Sequence, residues 1–145
     1  MKPGLAGNRR GSGLVETALV LSSFLFMLIA ILDFGQFLFV HQTLVERART
    51  AVRYAAVTRT ATTSEIQNLV LFNQTTVPSG RTTGDFGVTT AMVTVSDVTL
   101  DAAGNTSQSP GKRVVIQNYP FTMFTPVIGG GYTGRAIVAS LPQEF

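Results

Sequence analysis

Between Gly11 and Val40 the chain reads GSGLVETALVLSSFLFMLIAILDFGQFLFV, and from Thr17 to Leu32 no residue is charged. A hydrocarbon core of roughly 30 Å is crossed by about 20 mostly apolar helical residues. A run of this length therefore fixes a membrane-spanning helix before anything else is read. Its first turn holds a carboxylate, Glu16, at the mouth of the apolar stretch. A charge placed there costs free energy and calls for a reason.

The helix is expected to continue past the membrane. Beyond Val40, residues Leu44, Val45, Ala48, Val52 and Ala55 recur at the three-and-four spacing of one helical face, while Glu46, Arg47, Arg49 and Arg53 fall mostly on others. No proline or glycine interrupts this part, so one helix is expected from about Gly13 to Thr58. At 1.5 Å per residue it would be about 65 Å long, more than twice the hydrocarbon thickness. The outer half must stand in water with an apolar stripe that needs a partner. The chain's own C-terminal domain is the expected partner for most of it, and copies or relatives of the chain for some.

Of 145 residues, Met1 to about Thr58 are taken up by a leader and this helix, which leaves room for one small domain. The net charge of +3 belongs to the leader: Lys2, Arg9 and Arg10 precede Ser12, and from Ser12 onward eight basic residues balance eight acidic ones. No basic surface interleaved with aromatics is left to favour a nucleic acid. Without cysteine, disulfides, thiolate metal sites and lipoprotein anchoring are excluded. The apolar stretch is too long for a secretory signal, and no small-x-small site follows it before Asp33. On the residues alone it is an uncleaved anchor.

Charge does not orient the span, because Lys2, Arg9 and Arg10 on one side are matched by Arg47, Arg49, Arg53 and Arg59 on the other. The second group has another reading, as cations that complement the macrodipole near a helix C-terminus. A cytoplasmic N-terminus is expected, because the Thr- and Ser-rich, strand-like remainder suits an exported domain. Asp33 is expected at the headgroups or against another membrane helix, and His41, the only histidine, as an interfacial polar residue.

Downstream, Thr62-Thr63-Ser64-Glu65 spells a capping box that opens a short helix to about Phe72. Asn73 to Gly87 is a loop, Val88 to Leu100 a strand, Asp101 to Gly111 a turn or hairpin loop and Lys112 to Tyr119 a second strand. Phe121 to Gly134 is a bend, and Ala136 to Leu141 a third strand. The expected fold class is α+β, a long N-terminal transmembrane helix packed on a small antiparallel sheet of about three strands.

Catalytic motifs are not met. Residues Gly129 to Gly134 satisfy G-x-G-x-x-G literally, but only eleven residues follow and no long helix can. Gly111-Lys112 lacks the spacing and hydroxyl of a P-loop, and the acids are scattered. No enzyme, metal, cofactor or small-molecule substrate is expected. Asn73-Gln74-Thr75 and Asn105-Thr106-Ser107 match the short glycosylation acceptor pattern, which is frequent by chance.

The segment Arg9-Arg10-Gly11-Ser12-Gly13-Leu14-Val15-Glu16 resembles the cleavage region of a type IV prepilin. Asp33-Phe34-Gly35-Gln36, Gln42-Thr43-Leu44 and Ala48 to Ala56 resemble the TadE-like family, the pseudopilins of tight-adherence (Flp) pili. Ser12 and Thr17 stand where many pilins carry bulky or aromatic residues, and Ala51 where TadE-like chains often have glycine. The resemblance implies a division into a basic leader (1–11), a long helix (12–59) and a small exported α+β domain (60–145). It implies cleavage by a prepilin peptidase between Gly11 and Ser12, with Glu16 as the fifth mature residue. The new amine on Ser12 would pair with Glu16 of a neighbouring subunit. The implied partners are other pilins, the peptidase, the bacterial inner membrane and the pilus assembly platform. The implied roles are minor pseudopilin or main filament subunit. A non-polymerising envelope anchor is the competing reading of the same residues.

Overall fold

The computed structural model describes residues 9–100, 109–121, 123 and 131–142. The leader before Arg9, the Gly104-Asn105 turn, the Pro126 bend, Gly129-Gly130 and the closing Gln143-Glu144 lie outside the described residues.

Helix α1 spans Arg9–Val57, 49 residues, about 73 Å at the α-helical rise. The stripe read from the sequence lies on the buried face: Leu44, Ala48, Val52 and Ala55 are inside, joined by Val40, Ala51 and Ala56, and Val45 is half-buried against them. A turn closed by Ala61 N–H donating to the Thr58 carbonyl at 3.0 Å reverses the chain into α2, Thr63–Phe72. The capping box forms as written. Thr62 Oγ1 accepts from Glu65 N–H at 3.3 Å, and the Glu65 carboxylate accepts from Thr62 N–H at 2.8 Å. Asn73 ends α2 in the left-handed region at φ 57°, with its N–H on the Leu69 carbonyl. That C-cap is the structural use of the asparagine in the first acceptor tripeptide.

Strands β1 (Val93–Leu100), β2 (Ser109–Ile116) and β5 (Ile137–Pro142) make an antiparallel sheet in the order β1-β2-β5. The two-residue strands β3 (Pro120–Phe121) and β4 (Tyr132–Thr133) pair separately, inside the stretch expected to be only a bend. In the sheet, Val93 stands opposite Ile116 and Ile116 opposite Ile137, while Val95 faces Val114 and Val114 faces Ala139. Residues two apart share a face, so this register presents one apolar surface to the core. There Val93, Val114, Ile116 and Ile137 join the α1 stripe and Ile66, Leu69 and Val70 of α2 in one cluster.

Three strand boundaries differ from expectation for local reasons. Strand β1 begins at Val93 rather than Val88, because Val88 N–H turns back to the Asp85 carbonyl at 3.3 Å and Met92 N–H to the Thr89 carbonyl at 3.0 Å. These donors are committed before a ladder can claim them. Strand β2 begins at Ser109 rather than Lys112 and accommodates Pro110, which pairs with Thr99 one position beyond the last described β2–β5 pair, Gly111 with Pro142. A proline at such a margin leaves no described ladder position empty. The strand stops at Ile116 because Asn118 enters the left-handed region at φ 55°.

Candidate functional site

The first half of α1 is bare. Every residue from Gly11 to Leu28 is exposed, including Leu14, Phe24, Phe26 and Met27, and the most apolar part of the helix has none of its residues buried within the protein. From Gly11 to Leu32 this stretch is about 33 Å long, close to the thickness of a hydrocarbon core. Its hydroxyls are satisfied within the helix: Thr17, Ser22 and Ser23 each donate to the carbonyl four residues back at 2.8 Å. A polar group so bonded can face lipid at little cost.

Ser12 and Glu16 lie one turn apart on this exposed helix and therefore share a face. No ion pair or hydrogen bond joins Glu16 to another of the described residues. Gly11 and Gly13 are helical, yet a Cβ built on either would meet nothing within 4 Å. Neither glycine packs closely against the described residues. Each weakens the helix by about 1 kcal/mol relative to alanine, so the backbone on both sides of Ser12 is inexpensive to unwind.

The second half of α1 is clasped by the domain. Asp33, expected at the headgroups or against another membrane helix, is instead buried within the chain at 4% exposure, where the buried stripe begins. Arg47 departs from expectation in a similar way. None of the arginines falls in the last turn of α1, so they do not complement that helix's dipole. The Arg47 guanidinium instead donates to the Val70 and Leu71 carbonyls at 3.3 and 3.0 Å, the C-terminal end of α2, and to Asp85 Oδ2 at 2.7 Å. Arg81 donates to the other oxygen of Asp85, also at 2.7 Å. Hydrogen bonds from Arg47 and then Arg81 hold the Asp85 carboxyl below its usual range. Phe86, under the Arg47 guanidinium at 5.6 Å, takes a left-handed backbone at φ 60°, which the double arginine clasp on its neighbour holds in place.

His41 is likewise more than an interfacial residue. Its Nδ1 lies 2.8 Å from the hydroxyl of Tyr119, a ring with no exposure, and burial pushes the Tyr119 pKa up. Phe37 stacks on His41 and meets Phe121 edge-on at 5.3 Å. Gly134, the last glycine of the literal G-x-G-x-x-G, is the floor under this tyrosine. A Cβ there would stand 1.8 Å from Tyr119 Cζ. The glycine serves packing where the motif would have had it serve a phosphate. No spacing in the sequence points to Arg47, Tyr119 or Gly134, because their partners come from distant segments.

Among the described residues no three of His, Asp and Glu gather into a group able to hold a metal. The arrangement is an exposed apolar helix joined rigidly to a small domain, and it is suited to crossing a membrane once and presenting helix and domain to other proteins. Residues 11–53, less than a third of the chain, match the family described as TadE-like protein, in agreement with the resemblance seen in the motifs. No curated protein and no solved structure matches the chain.

Proposed function

We propose that the chain is a pilin-like assembly protein, a minor pseudopilin of a Tad/Flp-type pilus, that initiates or supports the filament. It is held in the bacterial inner membrane by α1 with its N-terminus in the cytoplasm and its domain outside. A prepilin peptidase hydrolyses the Gly11–Ser12 bond, which leaves an ammonium group on Ser12. The observation that carries this reading is Glu16, unpaired among the described residues and one turn from Ser12, on an exposed apolar helix where the TadE-like segment begins.

The electrostatics then supply the mechanism. A carboxylate in a low-dielectric bundle is stabilised by an arriving cation, so the Ser12 amine of one subunit against Glu16 of the next both selects a partner and sets axial register. The flanking glycines let the scissile turn open for the peptidase.

N-terminal sequencing of the membrane-extracted protein is expected to begin at Ser12, and a chain that keeps Arg9 and Arg10 beside an active peptidase refutes processing. Glu16→Gln is expected to insert and to be cleaved, since a neutral amide is easier to bury, but to reach the sheared surface fraction poorly. Breaking a buried pair costs on the order of 3 kcal/mol. A cleaved variant found on the surface at wild-type amounts would refute the pairing and favour a non-polymerising anchor.

A further inference from the structure

We infer that the seam between α1 and β5 is a docking groove for an extended segment of another protein, one that carries a carboxylate at every second residue and joins the sheet as an added strand at the free edge of β5.

Strand β1 is one edge of the sheet and β5 the other. Gln117 N–H donates to the Met92 carbonyl at 2.9 Å, so the next residue, Val93, turns its carbonyl away from β2. There the Gln67 side-chain amide donates to it at 2.9 Å, and the exposed carboxylate of Asp97 further deters pairing along β1. The same alternation, carried through both registers, turns the N–H and C=O of Val138 and Ser140 away from β2. These groups have no hydrogen-bond partner among the described residues. Strand β5, Ile137–Pro142, has no charged side chain to repel a newcomer, and Val138 is 60% exposed.

Two hollows of about 240 and 300 Å³ follow one another between α1 and β5. Their α1 wall is His41, Val45, Arg49, Arg53 and Val57, successive residues at a spacing of four, and the other wall is β5 with Arg135 and Ala136 before it. No acidic residue lines either hollow. His41 is engaged by Tyr119, which leaves three guanidinium groups. Arg53 and Arg135 are exposed and form no ion pair with the described residues. Arg49 pairs with Glu46, but both side chains are about two-thirds exposed, and a solvated pair of that kind is worth little.

Charge and spacing together choose the occupant. Arg49 and Arg53 are about 6 Å apart along the helix axis, and alternate residues of a strand are about 6.6 Å apart. A strand laid beside β5 puts every second side chain on the α1 side of the sheet, the side of Ala139 and Leu141. Carboxylates at those positions meet the two guanidinium groups in succession, with Arg135 at the end of the row. The unpaired backbone groups of Val138 and Ser140 select a peptide over other polyanions, because only a peptide returns both donors and acceptors to them. Lipid is out of reach, since Arg49 lies 17 residues past Leu32, about 25 Å beyond the end of the apolar run.

The test uses the full chain in non-ionic detergent and a fluorescein-labelled peptide of alternating threonine and glutamate, read by fluorescence anisotropy and by amide hydrogen exchange. Saturable binding is expected, and its absence overturns the groove. Arg49→Gln with Arg53→Gln is expected to weaken binding about tenfold, while Arg59→Gln, outside both hollows, leaves it unchanged. The amides of Val138 and Ser140 are expected to exchange more slowly in the complex. Wild-type affinity in the double variant overturns the role of the cations, and binding without protection of those two amides overturns the added strand. A peptide with proline in place of threonine keeps its charge but cannot pair as a strand. Equal binding by that peptide, or by an oligodeoxythymidine of the same charge, would assign a general polyanion surface and overturn the inference.

Discussion

Replacing Arg47 by methionine keeps an unbranched apolar stem over Phe86 and removes everything polar that the guanidinium does. Three hydrogen bonds disappear: two to carbonyls at the end of α2 and one to Asp85. The Arg47 side chain is only 14% exposed, so water restores these partners incompletely. The carboxylate is 32% exposed and still has Arg81, which limits the loss on that side. A charged hydrogen bond is worth about 1.5–3 kcal/mol and each neutral acceptor left without a donor about 1 kcal/mol or more. The expected loss is about 3 kcal/mol, a large part of the 5–15 kcal/mol typical of a folded domain. Pulse proteolysis of the full chain in detergent across a urea series measures it, as a midpoint lowered by about 1.5 M for a slope near 2 kcal/mol per molar. Arg47→Lys should recover less than half, since one ammonium cannot reach two carbonyls and a carboxylate in fork geometry. In a cycle with Asp85→Asn, the coupling should be about 1–2 kcal/mol. A loss under about 1 kcal/mol for Arg47→Met, or strict additivity with Asp85→Asn, would refute the idea that this clasp joins α1 to the domain.

Acid should probe the same clasp. The folded pKa of Asp85 lies below its unfolded value, so its contribution is fully present above the ordinary carboxylate range and is lost as pH falls through the lowered folded pKa. Unfolding of the wild-type chain between pH 6 and about pH 2 should therefore be steeper in pH than that of Asp85→Asn, and parallel curves would count against the assignment. Gly134→Ala places a carbon inside the Tyr119 ring position, at distances of 1.8 to 2.3 Å from ring atoms. Overpacking of this kind costs about 1–3 kcal/mol or more, and the near-ultraviolet tyrosine signal should change with it. Wild-type stability would show that the ring is not held there.

Local sequence determined much of this protein. The bare membrane half of α1 and the buried stripe from Leu44 to Ala55 follow from composition and from a period of 3.6, which every helix must obey. The capping box at Thr62 and Glu65 involves residues three apart, and the three main strands were marked by β-branched runs between turn residues. Each of these features arises from interactions within about one or two turns of chain, so spacing alone reveals them.

Tertiary structure decided what the polar residues do. His41 meets Tyr119 across 78 positions and Arg47 meets Asp85 across 38. Asp33 is buried although it lies at the end of an apolar run, and Gly134 is required only because a tyrosine from another segment lies against it. An arginine on a helix carries the same letter whether it faces water or two carbonyls of another helix. Which of these it does depends on the path of the chain elsewhere, and desolvation of the polar groups that meet there makes the outcome costly to change.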